Sequence, residues 1–191
     1  TIAGDDHFAT NTVVAGKLRA TNHFESVVIA PGDDLCAQMA ALSLAGAARG
    51  LVLLADTDRL PSASLTMLAT IGPSQIYYLA APEADPQIVG SIRAAVPRTC
   101  AVDVVDYASL DELTAKVFDL AQVARQSSAA IPSTPVVITG KNLGGAAAAL
   151  APFVAQGLPY LTITDTDAVS AVLDRIGAHG LESVVVLGAS S

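Results

Sequence analysis

The sequence predicts an α/β protein made of two tandem βαβ-rich repeats, with parallel sheets covered by helices. Three observations carry this expectation. Val27 to Asp58 (VVIAPGDDLCAQMAALSLAGAARGLVLLADTD) aligns without a gap with Val136 to Asp167 (VVITGKNLGGAAAALAPFVAQGLPYLTITDTD). Short apolar runs lacking polar alternation are separated by alanine-rich helical stretches, the pattern of crossovers whose parallel strands are buried on both faces. IYYLAAP from Ile76 also matches VVVLGAS from Val184, with the register one residue shorter. A duplication this long makes a residue relevant to shared function mainly where both copies can use it.

Taken in order, TIAGDDHFATNTVVAGKLRA reads as a short strand or turn followed by an amphipathic helix. Asp5, Asp6 and His7 form the turn into that helix; the three histidines of the chain are dispersed, so a metal cluster has little to build on. Strand Val27–Ala30, helix Cys36–Ala48, strand Leu51–Ala55, helix Ser62–Ile71, strand Gln75–Ala80 and a helix over Asp85–Val96 follow. The opening recurs as TCAVDVVDYASLDELTAKVFDLAQVARQ. There Leu113, Val117, Leu120 and Val123 fall on one helical face. Ser109 and Glu112 have capping-box spacing, which predicts that the glutamate reaches back to the N–H of Ser109. The second copy continues with strand Val136–Thr139, helix Leu143–Gln156, strand Tyr160–Thr164, helix Ala168–Gly177 and strand Ser183–Leu187. The boundary falls near Pro97 to Thr99, giving repeats over 1–98 and 99–191. The second carries an expanded loop over 126–135 and stops at GASS, before the counterpart of helix Asp85–Val96.

At 191 residues, 52% of them hydrophobic, the chain can bury a substantial core. No stretch approaches the roughly 20 apolar residues that span a bilayer, and no signal segment is present in this sequence. A net charge of −8 with ten scattered Lys and Arg argues against nucleic acid. An acidic polymer would need local pairs such as Arg49 with Arg59, or bridging divalent cations. Cys36 and Cys100 are too few for a disulfide framework; they read as one bridge across the halves in an oxidising compartment or as two small buried hydrophobes.

LVLLADTDRL resembles the strand and Asp-x-Asp of haloacid-dehalogenase-like phosphatases, and recurs as LTITDTDAV. A duplicated turn, in which Asp and Thr cap the next helix, explains the same residues without a downstream Lys and Asp-Asp pair. The loops PGDD (Pro31 to Asp34) and GKNLGG (Gly140 to Gly145) lie where parallel sheets place ligands, yet GKNLGG fits no phosphate-binding pattern and Asp33 and Asp34 repel anions. No Gly-x-Ser-x-Gly or HExxH is present. With no Trp, four Phe and four Tyr, stacking on sugar rings is not the main force available. Alternation along the strand turns at least one of Tyr77 and Tyr78 inward.

The opening carried by Ile2, Gly4, Asp6, Phe8, Ala9 and Thr10, the alanine helix Ala40 to Ala45 and the strand Val52, Leu53 and Leu54 together resemble the cell wall-binding repeat 2 family of bacterial surface proteins. Val105 to Ala108 and Pro159 to Ile163 echo the same pattern in the second copy. The resemblance implies α/β units that attach non-covalently to anionic wall polymers through the apolar strand motif and neighbouring basic residues. Thr1 and His7 replace the family's two opening arginines, Ala37 its helix Asp, and Leu51 the proline of its strand motif. Family members usually carry three repeats; two are present here, so a pseudo-twofold variant, a homodimer or a shortened chain is implied. The expectation is a non-enzymatic protein of the cell envelope or extracellular space that engages wall polymer. The alternatives are an envelope protein-interaction scaffold or regulator of a wall enzyme and, remotely, a Mg²⁺-dependent phosphatase. The expected contact residues are Arg49, Val52, Leu53, Leu54, Arg59, Lys141 and Asn142, with no cofactor, metal or catalytic group.

Overall fold

The computed structural model describes residues 3–125, 136–139, 154, 158–165, 167–181 and 183–188. In chain order the elements are α1 (His7–Arg19), β1 (Ser26–Pro31), α2 (Leu35–Ala47), β2 (Gly50–Ala55), α3 (Ser62–Ile71), β3 (Gln75–Ala80), α4 (Gln87–Ala95), β4 (Ala101–Asp106), α5 (Leu110–Arg125), β5 (Val136–Thr139), β6 (Tyr160–Ile163), α6 (Ala168–Ala178) and β7 (Val185–Gly188). The sequence-predicted helix Leu143–Gln156, apart from Val154, which is helical and 1% exposed, lies outside the described residues, as do the GKNLGG loop and the loop 126–135.

Two compact units divide the chain. The first comprises Thr1–Asp34 and Arg49–Tyr107, the second Leu35–Ala48 and Ala108–Ser191. They interleave, and so differ from the 1–98 and 99–191 division by sequence: the helix joining β1 to β2 belongs to the second unit, while β4 completes the first sheet. The physical reason is local. Alanines 37, 40, 41 and 45, each at most 4% exposed, give α2 a thin buried face, and it packs with α5.

In the first unit four parallel strands are ordered β2-β1-β3-β4. Central β1 is buried along its whole length, as expected of a strand covered on both faces. Val27, Ile29, Leu53, Leu68, Ile76, Ile88 and Ile92, each at most 1% exposed, are at the heart of the core. Asp6 starts α1 by accepting from the Ala9 N–H at 2.6 Å. Gly72 ends α3 in the left-handed conformation with φ 60°, its N–H donating to the Leu68 carbonyl at 3.1 Å. Edge strand β2 is blunted by α1, where Asn11 Nδ2 donates to the Val52 carbonyl at 3.1 Å.

The second unit contains a parallel sheet ordered β6-β5-β7. Its register correlates Val136 with Tyr160 and Val185, just as Val27 pairs with Leu51 and Ile76 in the first sheet. Ile76 therefore corresponds to Val185, which corrects the shorter register predicted from Val184: hydrogen-bond pairing to the neighbouring strand fixes the match. Helix α5 is tied to β6 through Asp111. Its Oδ1 accepts from Thr162 Oγ1 at 2.6 Å, and its Oδ2 accepts from Thr164 Oγ1 at 2.6 Å and the Thr164 N–H at 3.1 Å. The Thr162 N–H donates to Thr114 Oγ1 at 3.2 Å. Helix α2 is fixed by Ser43 Oγ donating to the Leu158 carbonyl and by Tyr160 Oη donating to the Cys36 carbonyl, both at 2.7 Å.

Two details of α5 differ from expectation. The Glu112 N–H donates to Ser109 Oγ at 3.2 Å, as a capping box requires, but Glu112 Oε2 accepts from the N–H of Ala108 at 2.8 Å, one residue beyond Ser109. The same carboxylate is held by Lys116 Nζ at 2.7 Å; these contacts lower its pKa, the Lys116 bond most. The buried face is centred on Leu113, Val117, Phe118 and Ala121, leaving Val123 63% exposed. The large Phe118 ring sets the orientation, because burying it removes more apolar area than burying Val123.

Candidate functional site

The sequence-predicted contact residues do not converge. Leu53 is fully buried and Leu54 is 8% exposed, so both side chains serve the core; Val52 is half-buried on the edge strand. Arg49 precedes β2 and Arg59 follows it. Six residues of strand at about 3.3 Å each separate their ends by roughly 20 Å. Lys141 and Asn142 are outside the described residues. Arg59 is engaged by Asp56 Oδ2 at 3.8 Å and Asp58 Oδ1 at 4.0 Å.

Parallel topology gives the first sheet two chemically distinct ends. Every strand starts at one end, and α1 and α4 terminate there. Lys17 and Arg19 occupy the last turn of α1 and Arg93 the last turn of α4, where cations complement the helix dipole. His23, Arg49 and Arg98 lie in the segments leading into β1, β2 and β4. All six are exposed, and none forms an ion pair among the described residues; the acid on this end is Glu25, whose N–H donates to the Arg49 carbonyl at 3.4 Å. Arg19, Asn22, His23, Phe24 and Ile71 border an open cavity of about 540 Å³ here. Arg49 holds φ 50°, a left-handed conformation unusual for a residue with a Cβ.

The carboxyl end is acidic. Asp33 and Asp34 follow β1, Asp56 and Asp58 follow β2, Glu83 and Asp85 follow β3, and Asp106 ends β4. Outside β3 and β4 lies a crevice of about 330 Å³ bordered by Tyr78, Asp85, Val89, Val104, Asp106 and Tyr107. Burial, followed by the Asp106 and Asp85 charges, pushes the Tyr78 phenol up to about 12. Burial also raises Tyr107, with Asp34, Glu83 and Asp33 adding to the effect. Tyr78, at 3% exposed, is the inward member of the Tyr77–Tyr78 pair. The residues to which sequence reasoning gave no site role are Glu83, Asp85 and Asp106, together with Lys17, Arg19, His23, Arg93 and Arg98.

The Asp-Thr-Asp corners brace turns, and their carboxylates do not cap the following helix as expected. Asp56 Oδ1 accepts from the Thr57 N–H at 2.9 Å, and the Asp56 N–H donates to the Arg59 carbonyl at 2.9 Å. Helix α3 begins only at Ser62, after Pro61, which makes no side-chain cap. The void beside Asp56 is about 10 Å³, room for about one water and too small for a phosphate ester. In the second corner Asp165 Oδ1 accepts from the Asp167 N–H at 3.3 Å, while the Asp167 side chain makes no capping bond. Cys36 and Cys100 are half-buried, and neither is in a disulfide. Among the described residues no cluster of His, Cys, Asp or Glu has metal-binding geometry, and no helix is long and apolar enough to cross a membrane.

No protein-family model and no curated protein matches the sequence. Solved structures do match the fold. Cwp6 from Clostridium difficile superposes with a TM-score of 0.79 over 99% of this chain at 18% identity, and Cwp8 from the same organism with 0.66 over 98% at 16% identity. The chain spans 29% and 31% of the lengths of those two proteins. It shares with them an α/β architecture, here with a parallel four-stranded sheet flanked by helices.

Proposed function

We propose that this chain is a non-enzymatic attachment module of the cell envelope or cell surface, holding anionic wall polymer at the basic end of its first sheet. The observation that carries the reading is the agreement of 99% of the chain with Cwp6; Cwp6 and Cwp8 are cell wall proteins. The basic end supplies the chemistry such a ligand needs: five Lys and Arg side chains, His23 and an open cavity on one rim. Arg49 is the predicted contact retained in this arrangement, with Val52 beside it on the edge strand. Lys141 and Asn142 remain proposed contacts of the second copy, and the two sequence repeats, 1–98 and 99–191, its proposed duplicated parts.

Net charge does not oppose this reading. The two ends of the sheet are separated by about two Debye lengths at physiological salt, so a polymer at the basic end feels the carboxylates of the other end only weakly. The acidic end favours a second reading, an envelope scaffold whose partner is a cationic protein. Equilibrium binding to purified anionic wall polymer, set against pull-down of envelope proteins, separates the two. Replacing Arg19, Arg49 and Arg98 together with Gln should abolish polymer retention and leave protein capture intact. Unchanged retention by a folded triple variant refutes the basic-end assignment. The same comparison in analytical ultracentrifugation reports whether a homo-oligomer forms.

A further inference from the structure

We propose that attachment at the basic end is pH-sensitive, with His23 as the group that strengthens it as the surroundings acidify. This rests on the polymer reading and adds a regulator to the same site. The carrying observation is how the chain holds His23 at the rim of the cavity of about 540 Å³, beside Arg19, Asn22, Phe24 and Ile71. The Leu18 carbonyl accepts from the Asn22 N–H at 3.0 Å, Asn22 Nδ2 at 3.1 Å and Thr21 Oγ1 at 3.2 Å, which closes the turn after α1. On the other side of His23, Phe24 packs against the core of the first unit, and the Glu25 carbonyl accepts from the Ser74 N–H at 3.0 Å. His23 is thus pinned from both sides, while its side chain is exposed and makes no hydrogen bond or ion pair among the described residues. A backbone already fixed loses little freedom when a ligand arrives.

The neighbours set the sign. Arg19 borders the cavity with His23, and Lys17 stands with it in the last turn of α1. Arg49 comes from the segment before β2 and Glu25 from the segment before β1, whereas α3, which contributes Ile71, carries no ionisable side chain. Imidazole is the side chain whose ordinary charge change falls between pH 5 and 8; carboxylates, lysines and arginines ordinarily keep theirs across that interval. The other two histidines are elsewhere: His7 opens α1 at the opposite end of the sheet, and His179 belongs to the second unit. A polyanion lying across the rim therefore meets a neutral ring at pH 7.5 and one more cation at pH 5.5. By linkage, acidification raises affinity, and binding takes up protons.

The test measures binding of the full chain to poly(glycerol phosphate) and to polygalacturonate at about pH 5.5 and 7.5, at one low ionic strength; phosphodiesters and sugar carboxylates stay ionised at both. The expected result is an affinity about threefold higher at the lower pH, the worth of one exposed charge contact. Calorimetry in two buffers of different ionisation enthalpy should show proton uptake on binding near pH 6.5. His23→Gln should hold the parent's weaker affinity at both pH values, and His23→Lys its stronger one. Both substitutions fall at an exposed position and leave the fold intact. A gain with either polymer supports the proposal, and the larger gain identifies the anion preferred. Equal affinity of the parent at the two pH values, or an undiminished gain in His23→Gln, overturns the role of His23 and leaves polymer attachment in place. No binding at either pH, or binding untouched by the Arg19, Arg49 and Arg98 triple substitution, removes the polymer reading and this inference with it.

Discussion

Arg49→Gly separates the stability of the first unit from its proposed binding role, because the two effects have opposite sign. Arg49 sits just past α2 with φ 50°, where a Cβ crowds the following carbonyl and glycine is the usual residue. Relief of left-handed strain is worth about 1–2 kcal/mol. Glycine also gives the unfolded chain more freedom, costing about 0.5–1 kcal/mol. The balance is a gain of about 0–1.5 kcal/mol. Arg49 has no ion pair among the described residues to lose, and its carbonyl, which accepts from Glu25, survives the change. The midpoint of urea unfolding should therefore rise, whereas affinity for anionic polymer at low salt should fall about threefold, the loss of one exposed charge contact. Arg49→Ala provides the contrast: it loses the cation and keeps the strain, so it binds as weakly as the glycine variant without gaining stability. A glycine variant less stable than the parent by more than about 0.5 kcal/mol would refute the strain argument. Unchanged affinity in both variants would remove Arg49 from the polymer contact.

Leu53→Ala, at a fully buried position, should cost about 2–5 kcal/mol in denaturant unfolding; a loss under about 1 kcal/mol would mean that the strand motif is not core. Asp111→Ala removes the acceptor of two threonine hydroxyls and the Thr164 N–H and should cost about 2–4 kcal/mol. Faster hydrogen exchange at Thr164 should accompany that loss, and unchanged protection would show that Asp111 does not tie α5 to β6. At alkaline pH the sign follows from Tyr78 being raised from 10 to about 12 in the folded chain. The unfolded chain releases this proton first, so Tyr78's contribution to stability is complete below pH 10 and disappears as pH rises through 12. Tyr77 and Tyr107 shift in the same direction. Spectrophotometric titration should show late phenol ionisation coupled to unfolding, and normal ionisation of the tyrosines in the folded chain would contradict their burial.

Local pattern made the strands and helices of the first unit legible. Helix Ser62–Ile71 and strand Gln75–Ala80 occur with the bounds read from sequence, because Gly72 and Pro73 punctuate them and their apolar faces agree with their periods. The neighbour of α2 was not legible: periodicity marks α2 as a helix to be buried and says nothing about its packing with α5. Two of the expected contact residues are buried for a related reason. A strand reading VLL in a parallel sheet is apolar because it is covered on both faces, so its most conspicuous residues, Leu53 and Leu54, are the least available to a ligand.

The clue to a site lay instead in position within the βαβ cycle, independent of any motif. Residues just before strands, and at the ends of the helices feeding them, share one end of a parallel sheet; residues just after strands share the other. Lys17, Arg19, His23, Arg49, Arg93 and Arg98 fall in the first set, while Asp33, Asp34, Asp56, Asp58, Glu83, Asp85 and Asp106 fall in the second. Helix dipoles favour this segregation at the helix termini, but Arg49, Arg98 and His23 precede strands and Asp106 ends one, so dipole compensation does not account for the whole pattern. A chain with net charge −8 can thus present a cationic surface to one ligand and an anionic surface to another. If polymer binding follows that separation, inverting the basic end with Arg19→Glu and Arg98→Glu must suppress it, whereas Asp85→Asn with Asp106→Asn must leave it unchanged, since roughly 20 Å of sheet and intervening salt screen the two ends. Loss of polymer binding in the folded carboxylate variant as well would require energetic coupling through the sheet and would defeat the argument that the two ends act independently.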